Sequence, residues 1–233
     1  MAPVGKHWDS RVLAQRAAAL FEIVVPRQCA GCGGELEAAA QLCARCQLHL
    51  RALPQQIARR PVPLGMPVWA LGPYSDVRRN LIVAMKERGN RKVRSHVAAV
   101  YAAGIEHLRA RGEIPEELVL VPAPTRRSSA RARGGDPVAQ ICMQVAKTLP
   151  RVSVCEALEV RESAADQSEL SATQRWDNMR AAVQARPAAS RIVGRRLLLV
   201  DDVVTTGATL VASASRLRGS GGVPDGAIVL AEA

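Results

Sequence analysis

Three short apolar runs, at residues 68–71, 118–121 and 197–200, break the otherwise mixed pattern of this chain. None alternates with polar positions, so each reads as a strand buried on both faces, as found inside a parallel sheet. A shorter run, Val152-Ser153-Val154, reads as a further strand. Between the runs, apolar residues return at helical spacing: Val77, Leu81, Ile82 and Met85; Val138, Ile141, Val145 and Ala146; Leu210, Val211, Ala214 and Leu217. Asp136-Pro137 opens the second of these helices, and Gly219, Gly221 and Gly222 close the third. Lys86-Glu87-Arg88-Gly89-Asn90-Arg91 ends the first with positive charge, which suits its C-terminal dipole. Strands alternating with helices predict an α/β domain built on a parallel sheet.

The junction after residues 197–200 carries the densest chemistry. The run leads into Asp201 and Asp202, then Val203, Val204, Thr205, Thr206, Gly207, Ala208 and Thr209, and then a helix. In a parallel sheet such a corner lies at the carboxyl edge, where pockets open. Free N–H groups and the dipole at a helix start favour phosphate, and the threonines add hydroxyl donors. Gly207 lets the backbone come close to a ligand. Asp201 and Asp202 are placed to accept hydrogen bonds from a vicinal diol, or to approach a hydrated divalent cation. A phosphate beside a diol describes a ribose 5-phosphate. A capped helix with solvated carboxylates would need fewer of these groups.

Cys29, Cys32, Cys43 and Cys46 form two Cys-x-x-Cys pairs ten residues apart. Each pair can present two thiolates from a tight turn, and two turns complete a tetrahedron around zinc. Disulfides are the rival, but they need an oxidising compartment, and no export signal is evident. With all four positions filled by sulfur, the expected role is structural. Cys142 and Cys155 read as small core residues.

Composition narrows the picture little further. The formal net charge is +11, yet 28 of the 32 basic residues are Arg and no block of one sign dominates. Residues 1–66 hold 8 basic and 4 acidic residues against 24 and 17 in the remainder, so charge alone is a weak pointer to nucleic acid. Aromatics make up only 3%, which argues against stacking platforms for several bases and for a core of aliphatic side chains. No segment is long and apolar enough to span a bilayer, and residues 17–25 read as a short amphipathic helix, so a cytoplasmic protein is expected.

After residues 118–121 come Pro122-Ala123-Pro124 and a loop carrying Arg126, Arg127, Arg131, Arg133 and Gly134. Arginines and glycines after a buried strand suit an anion such as pyrophosphate, although a solvated basic loop would look similar. Residues 156–190, with Arg161 and Gln167, read as a lid or a surface excursion.

The stretch from Val200 to Thr209 resembles the phosphoribosyl pyrophosphate (PRPP) signature of type I phosphoribosyltransferases. With the four-cysteine knuckle ahead of it, the chain resembles the ComF (ComF/GntX) family from Pro26 onward. Tyr74-x-Asp76-x-Arg78, Lys86-x-Arg88-Gly89, Val121-Pro122-x-Pro124, Arg133-Gly134, and Arg161 with Gln167, Leu170, Arg175 and Asn178 fall in the family's order. One departure is visible: many members read Arg-Gly-Phe-Asn-Gln where this chain has Arg133-Gly134-Gly135-Asp136-Pro137.

The resemblance implies a type I phosphoribosyltransferase-like parallel sheet flanked by helices, preceded by a small N-terminal zinc knuckle. The expected organisation is residues 1–50 for helix and knuckle, 51–66 for a linker and 67–233 for the α/β domain. It implies that Asp201 and Asp202 hold ribose hydroxyls, that residues 203–209 wrap the 5-phosphate, and that PRPP arrives with magnesium. The expected function is phosphoribosyl transfer to an unidentified base. The alternative is a non-catalytic protein that binds nucleotide or single-stranded DNA and serves with competence proteins in DNA uptake.

Overall fold

The computed structural model describes residues 28–36, 40–57, 65–86, 90–125, 127–132, 134–161 and 182–233, with the Arg127 side chain outside that description. The helix expected over residues 17–25, Arg126, Arg133, Gln167 and most of the lid segment lie outside the described residues.

The elements in chain order are α1 (Ala44–His49), β1 (Gln55–Gln56), β2 (Val68–Ala70), α2 (Asp76–Lys86), α3 (Arg91–Ala110), β3 (Leu118–Pro122), α4 (Arg127–Ala132), α5 (Pro137–Thr148), β4 (Val152–Val154), β5 (Leu158–Val160), β6 (Val183–Ala185), a 3-10 segment (Pro187–Ile192), β7 (Arg196–Val204), α6 (Ala208–Gly219) and β8 (Val223–Glu232). Six strands form one sheet in the order β1-β2-β8-β7-β3-β4. All neighbours run parallel except β1, which pairs antiparallel with β2 and comes from the stretch read as a linker. β5 and β6 form a separate antiparallel pair.

The unbroken apolar runs do lie inside the sheet. Leu197, Leu198, Leu199 and Val200 are each at most 1% exposed. Their side chains alternate between two cores, because successive residues of a strand point to opposite faces. Leu198 and Val200 join Leu118, Leu120, Ile228 and Leu230 in the core under α2, α3 and α5. Leu197 and Leu199 join Val119, Val121, Ala227 and Val229 in the core under α6 and the β5–β6 pair. The result is a mixed α/β architecture: a mostly parallel sheet with a helical layer on each face.

The cysteine turns are built into the first of these cores. Cys29, Leu42, Cys46 and Leu50 are buried in the same cluster as Leu81, Met85 and Val93. Asn80 Nδ2 donates to the Gly31 carbonyl at 2.8 Å. A Cβ on Gly31 would lie 2.9 Å from Cys46 Sγ and 3.1 Å from Val77, so the backbone passes close to α2 there. Arg78, 1% exposed, donates to the carbonyls of Leu71 (2.6 Å) and His49 (3.4 Å), and its Nη1 lies 3.1 Å from His49 Nε2. A buried guanidinium thereby stitches the end of α1 to the loop after β2. Among the described residues, no helix is long and apolar enough to cross a membrane.

Candidate functional site

β7 runs further than the sequence pattern indicated. The expected strand ended at Val200, with the acids in the following loop; instead the ladder with β8 continues through Asp201, Val203 and Val204, opposite Val229, Ala231 and Glu232. Asp201 and Asp202 are therefore strand residues at the carboxyl edge of a central strand. Hydrogen bonding to β8 outweighs the low strand preference of aspartate.

The two carboxylates differ in surroundings. Asp201 Oδ1 accepts from the Asp202 N–H at 2.9 Å, and Asp202 Oδ1 accepts from the Val203 N–H at 2.9 Å. Burial pushes the Asp201 carboxyl well above the usual carboxylate range, and the Asp202 charge pushes the same way; Lys86 and the Asp202 N–H only partly oppose them. Asp202 is 6% exposed, and its Oδ2 forms an ion pair with the ammonium of Lys86, the last residue of α2. Tyr101, on α3, donates its hydroxyl to the Asp201 carbonyl at 2.5 Å. Its phenol is held well above its ordinary pKa by burial first and then by the two aspartates, so it stays a donor.

Gly207 stands at the head of α6 with φ +82°, a left-handed conformation that glycine adopts without strain. The Ala208 N–H is met by Thr206 Oγ1 at 3.3 Å. Thr205 and Thr206 are exposed and Thr209 is half-buried. Residues 203–209, the last two of β7, a three-residue loop and the first two of α6, thus bring hydroxyls and a helix start close to the acid pair.

A cleft of about 710 Å³ opens at the carboxyl end of the adjacent strand, β3. Pro122 pairs with Val200, and the Ala123 N–H donates to the Val200 carbonyl at 2.8 Å, so the cleft mouth and the acids share one sheet edge. Asp201, Asp202 and residues 203–209 do not line this cleft; it flanks them. Its walls include Thr125, Arg131, Gly134 and Gln140 on one side, and Glu156 and Arg186 beside the β5–β6 pair on the other. Arg186 bridges Glu156 (3.1 Å) and Glu159 (3.3 Å).

Of the arginines expected on the anion side, Arg126, Arg133 and the Arg127 side chain lie outside the described residues. Gly134 does line the cleft, and Arg131 joins it. The Gly135-Asp136-Pro137 departure has a structural use: Asp136 Oδ1 caps α5 by accepting from Val138 N (2.8 Å) and Ala139 N (3.2 Å), with Pro137 in the first turn. Arg161 is exposed at the end of β5. With the Gln184 amide oriented to accept, its Nη2 and Nε lie 2.9 and 3.1 Å from that oxygen, across the β5–β6 pair. It is not among the cleft residues.

The four cysteines converge. Their sulfurs all lie within 4.8 Å of one another, and Cys32 Sγ is 3.8 Å from Cys43 Sγ. Four thiolates on a tetrahedral zinc at about 2.3 Å would stand about 3.8 Å apart, so the donor set fits that ion. Burial raises the Cys29 pKa, but hydrogen bonds from the backbone at Cys32, Cys43 and Gly31 outweigh it and bring it down to about 6. Burial and the neighbouring thiols hold Cys46 well above the ordinary thiol range. A bound cation would hold all four sulfurs as thiolates, drawing the proton from Cys46 against its raised pKa.

Sequence reasoning passed over the residues that support this corner. Lys86 reads as a helix-dipole partner, yet its ammonium reaches Asp202. Tyr101 and Arg94 lie on α3, a helix the periodicity did not single out. Arg94 is 3% exposed, donates to the Met85 carbonyl at 3.1 Å and holds the Gln140 amide oxygen. A tyrosine and an arginine spaced seven apart on a mostly apolar helix were the available signal. Among known proteins, no family model matches the chain and no curated protein matches it.

Proposed function

We propose that this chain is a ComF-like protein with a type I phosphoribosyltransferase domain, which binds PRPP with magnesium and transfers its phosphoribosyl group to a nitrogen base. The observation that carries the reading is the acid pair near the carboxyl end of a central parallel strand, followed two residues later by a threonine-glycine loop that opens a helix.

In this reading the Asp201 and Asp202 carboxylates accept from the ribose hydroxyls and hold the sugar at the strand end. Thr205, Thr206 and Thr209 and the N–H groups of the loop and first helical turn hold the 5-phosphate. The pyrophosphate lies toward the β3 cleft, where Arg131 and the Gly134 backbone face it. Magnesium bound with the ligand would neutralise the charge of the departing pyrophosphate. The cleft beyond, toward Glu156 and Arg186, leaves room for an acceptor base. The reacting centre gains positive character as pyrophosphate departs, and the adjacent carboxylates stabilise it electrostatically. The cysteine cluster holds zinc as a structural centre, with every ligand position taken by sulfur.

Titration calorimetry with PRPP and Mg²⁺ tests the binding half. Saturable binding by wild type that is lost in Asp201→Asn plus Asp202→Asn is the expected result, and absence of wild-type binding refutes it. A screen of bases for pyrophosphate release tests the transfer half. Binding with no release from any base would leave a nucleotide-binding protein without transferase activity.

A further inference from the structure

Lys86 ends α2 against the acid pair. Its ammonium is on Asp202 Oδ2, while its neighbour Met85 accepts from Arg94 Nη2 at 3.1 Å. Arg94 Nη1 holds the Gln140 amide oxygen, and Gln140 Nε2 reaches the Gly134 carbonyl at 3.4 Å on the cleft wall. The last turn of α2 therefore meets the acid pair through Lys86 and is linked to the cleft wall through Arg94 and Gln140.

The two partners of this ion pair are unequal. The Asp202 side chain is 8% exposed, and its buried Oδ2 meets the Lys86 ammonium. The Lys86 side chain is 34% exposed and ends a helix. A cation that served only the helix dipole could remain in water at no desolvation cost; this one is drawn onto a buried oxygen. That oxygen is an exchange position. A ligand hydroxyl can take it only as the ammonium leaves, and the displaced ammonium is best held by a new anion.

We infer that Lys86 is a resident latch on Asp202, displaced by ribose hydroxyls and then taken up by a pyrophosphate group on the same ligand, so that the site selects pyrophosphate-bearing ribose phosphates over simple ones. This rests on the reading of Asp201 and Asp202 as ribose-binding groups. A ligand bearing only a 5-phosphate breaks the ion pair without replacing it. PRPP breaks it and supplies the replacement, and that differential interaction is the source of selectivity.

Calorimetry with PRPP and with ribose 5-phosphate, both with Mg²⁺, on wild type, Lys86→Met and Lys86→Arg tests the latch. Lys86→Met is expected to weaken PRPP by about tenfold and to tighten ribose 5-phosphate, collapsing the preference, while Lys86→Arg retains it. Equal weakening of both ligands, or no change in either, overturns the latch while leaving the ribose-phosphate reading intact. Failure of wild type to bind either ligand sinks that reading and the selectivity with it. A second measurement addresses the pair itself without ligand. Amine acetylation read by mass spectrometry should rise at Lys86, relative to Lys92 and Lys147, in Asp202→Asn; an unchanged ratio overturns the resident pairing.

Discussion

The Tyr101 hydroxyl and the Asp201 carbonyl, 100 residues apart in sequence, are joined by a 2.5 Å hydrogen bond that pins α3 to the strand end carrying the acid pair. Tyr101 is 2% exposed, so Tyr101→Phe leaves a carbonyl without its donor in a buried setting. The expected cost is about 1 kcal/mol in a urea melt, with a loss of PRPP affinity of about threefold as the acids lose their backbone anchor. A melt superimposable on wild type would show that the contact contributes nothing.

Asp201 gives a pH signature with a definite sign. Its folded-state pKa is raised by burial and by the Asp202 charge, so its favourable contribution is complete below the unfolded carboxylate range and is lost as pH rises through the folded value. At neutral pH the fold carries that penalty. Asp201→Asn keeps an oxygen for the Asp202 N–H and removes the charge, so it should stabilise the protein by about 1 kcal/mol at pH 7 and flatten the decline of Tm with pH. PRPP binding should fall at the same time. Destabilisation at pH 7 would contradict this account of the carboxyl.

Zinc removal should be felt throughout the chain. Cys29 and Cys46 share a core with Leu81, Met85 and Val93, so the metal-binding turns and the α/β layer are expected to melt as one unit. Treatment with a strong chelator should lower Tm by about 10 °C in a single calorimetric transition, and Cys46→Ser should reproduce the drop. Two separate transitions would mean that the knuckle is energetically independent.

Gly72 lies beside the buried guanidinium, with φ +150°, and a Cβ there would come within 2.2 Å of Arg78 Nη2. Arg78 cannot swing away without abandoning the Leu71 and His49 carbonyls, and burial already lowers its pKa. Gly72→Ala should therefore cost about 2–3 kcal/mol by thermal or urea denaturation. An effect below about 0.5 kcal/mol would show that the arginine relocates freely.

What could be read from the sequence follows from how each feature is encoded. Strands β2, β3 and β7 were legible because burial on both faces demands unbroken apolar runs, and α5 because Asp136-Pro137 marks its start. The cysteine cluster was legible because four ligands at regular spacing need little context. β8 was missed although it runs through Ile228, Val229 and Leu230; its Pro224, Asp225 and Gly226 resemble a turn, and only pairing with β7 keeps them extended. Lys86 was visible as a cation at a helix end, but its partner is set by packing of α2 on the sheet, which no local pattern records. The corner at Asp201 is legible in the sequence, but its strand runs past the apolar residues because the ladder partner that extends it lies in β8.

β8 also has a consequence for how the molecule is made. It is the last strand of the sheet in chain order, yet it lies between β2 and β7. Until residues 223–232 have paired, β2 and β7 each present an open parallel edge, and the two parts of the sheet are joined through α3 and α5, which pack across them. Such long-range closure is slow and leaves sticky edges exposed. The strand end carrying Asp201 is therefore completed by the last-made strand of the sheet, whose Val229 lies opposite it.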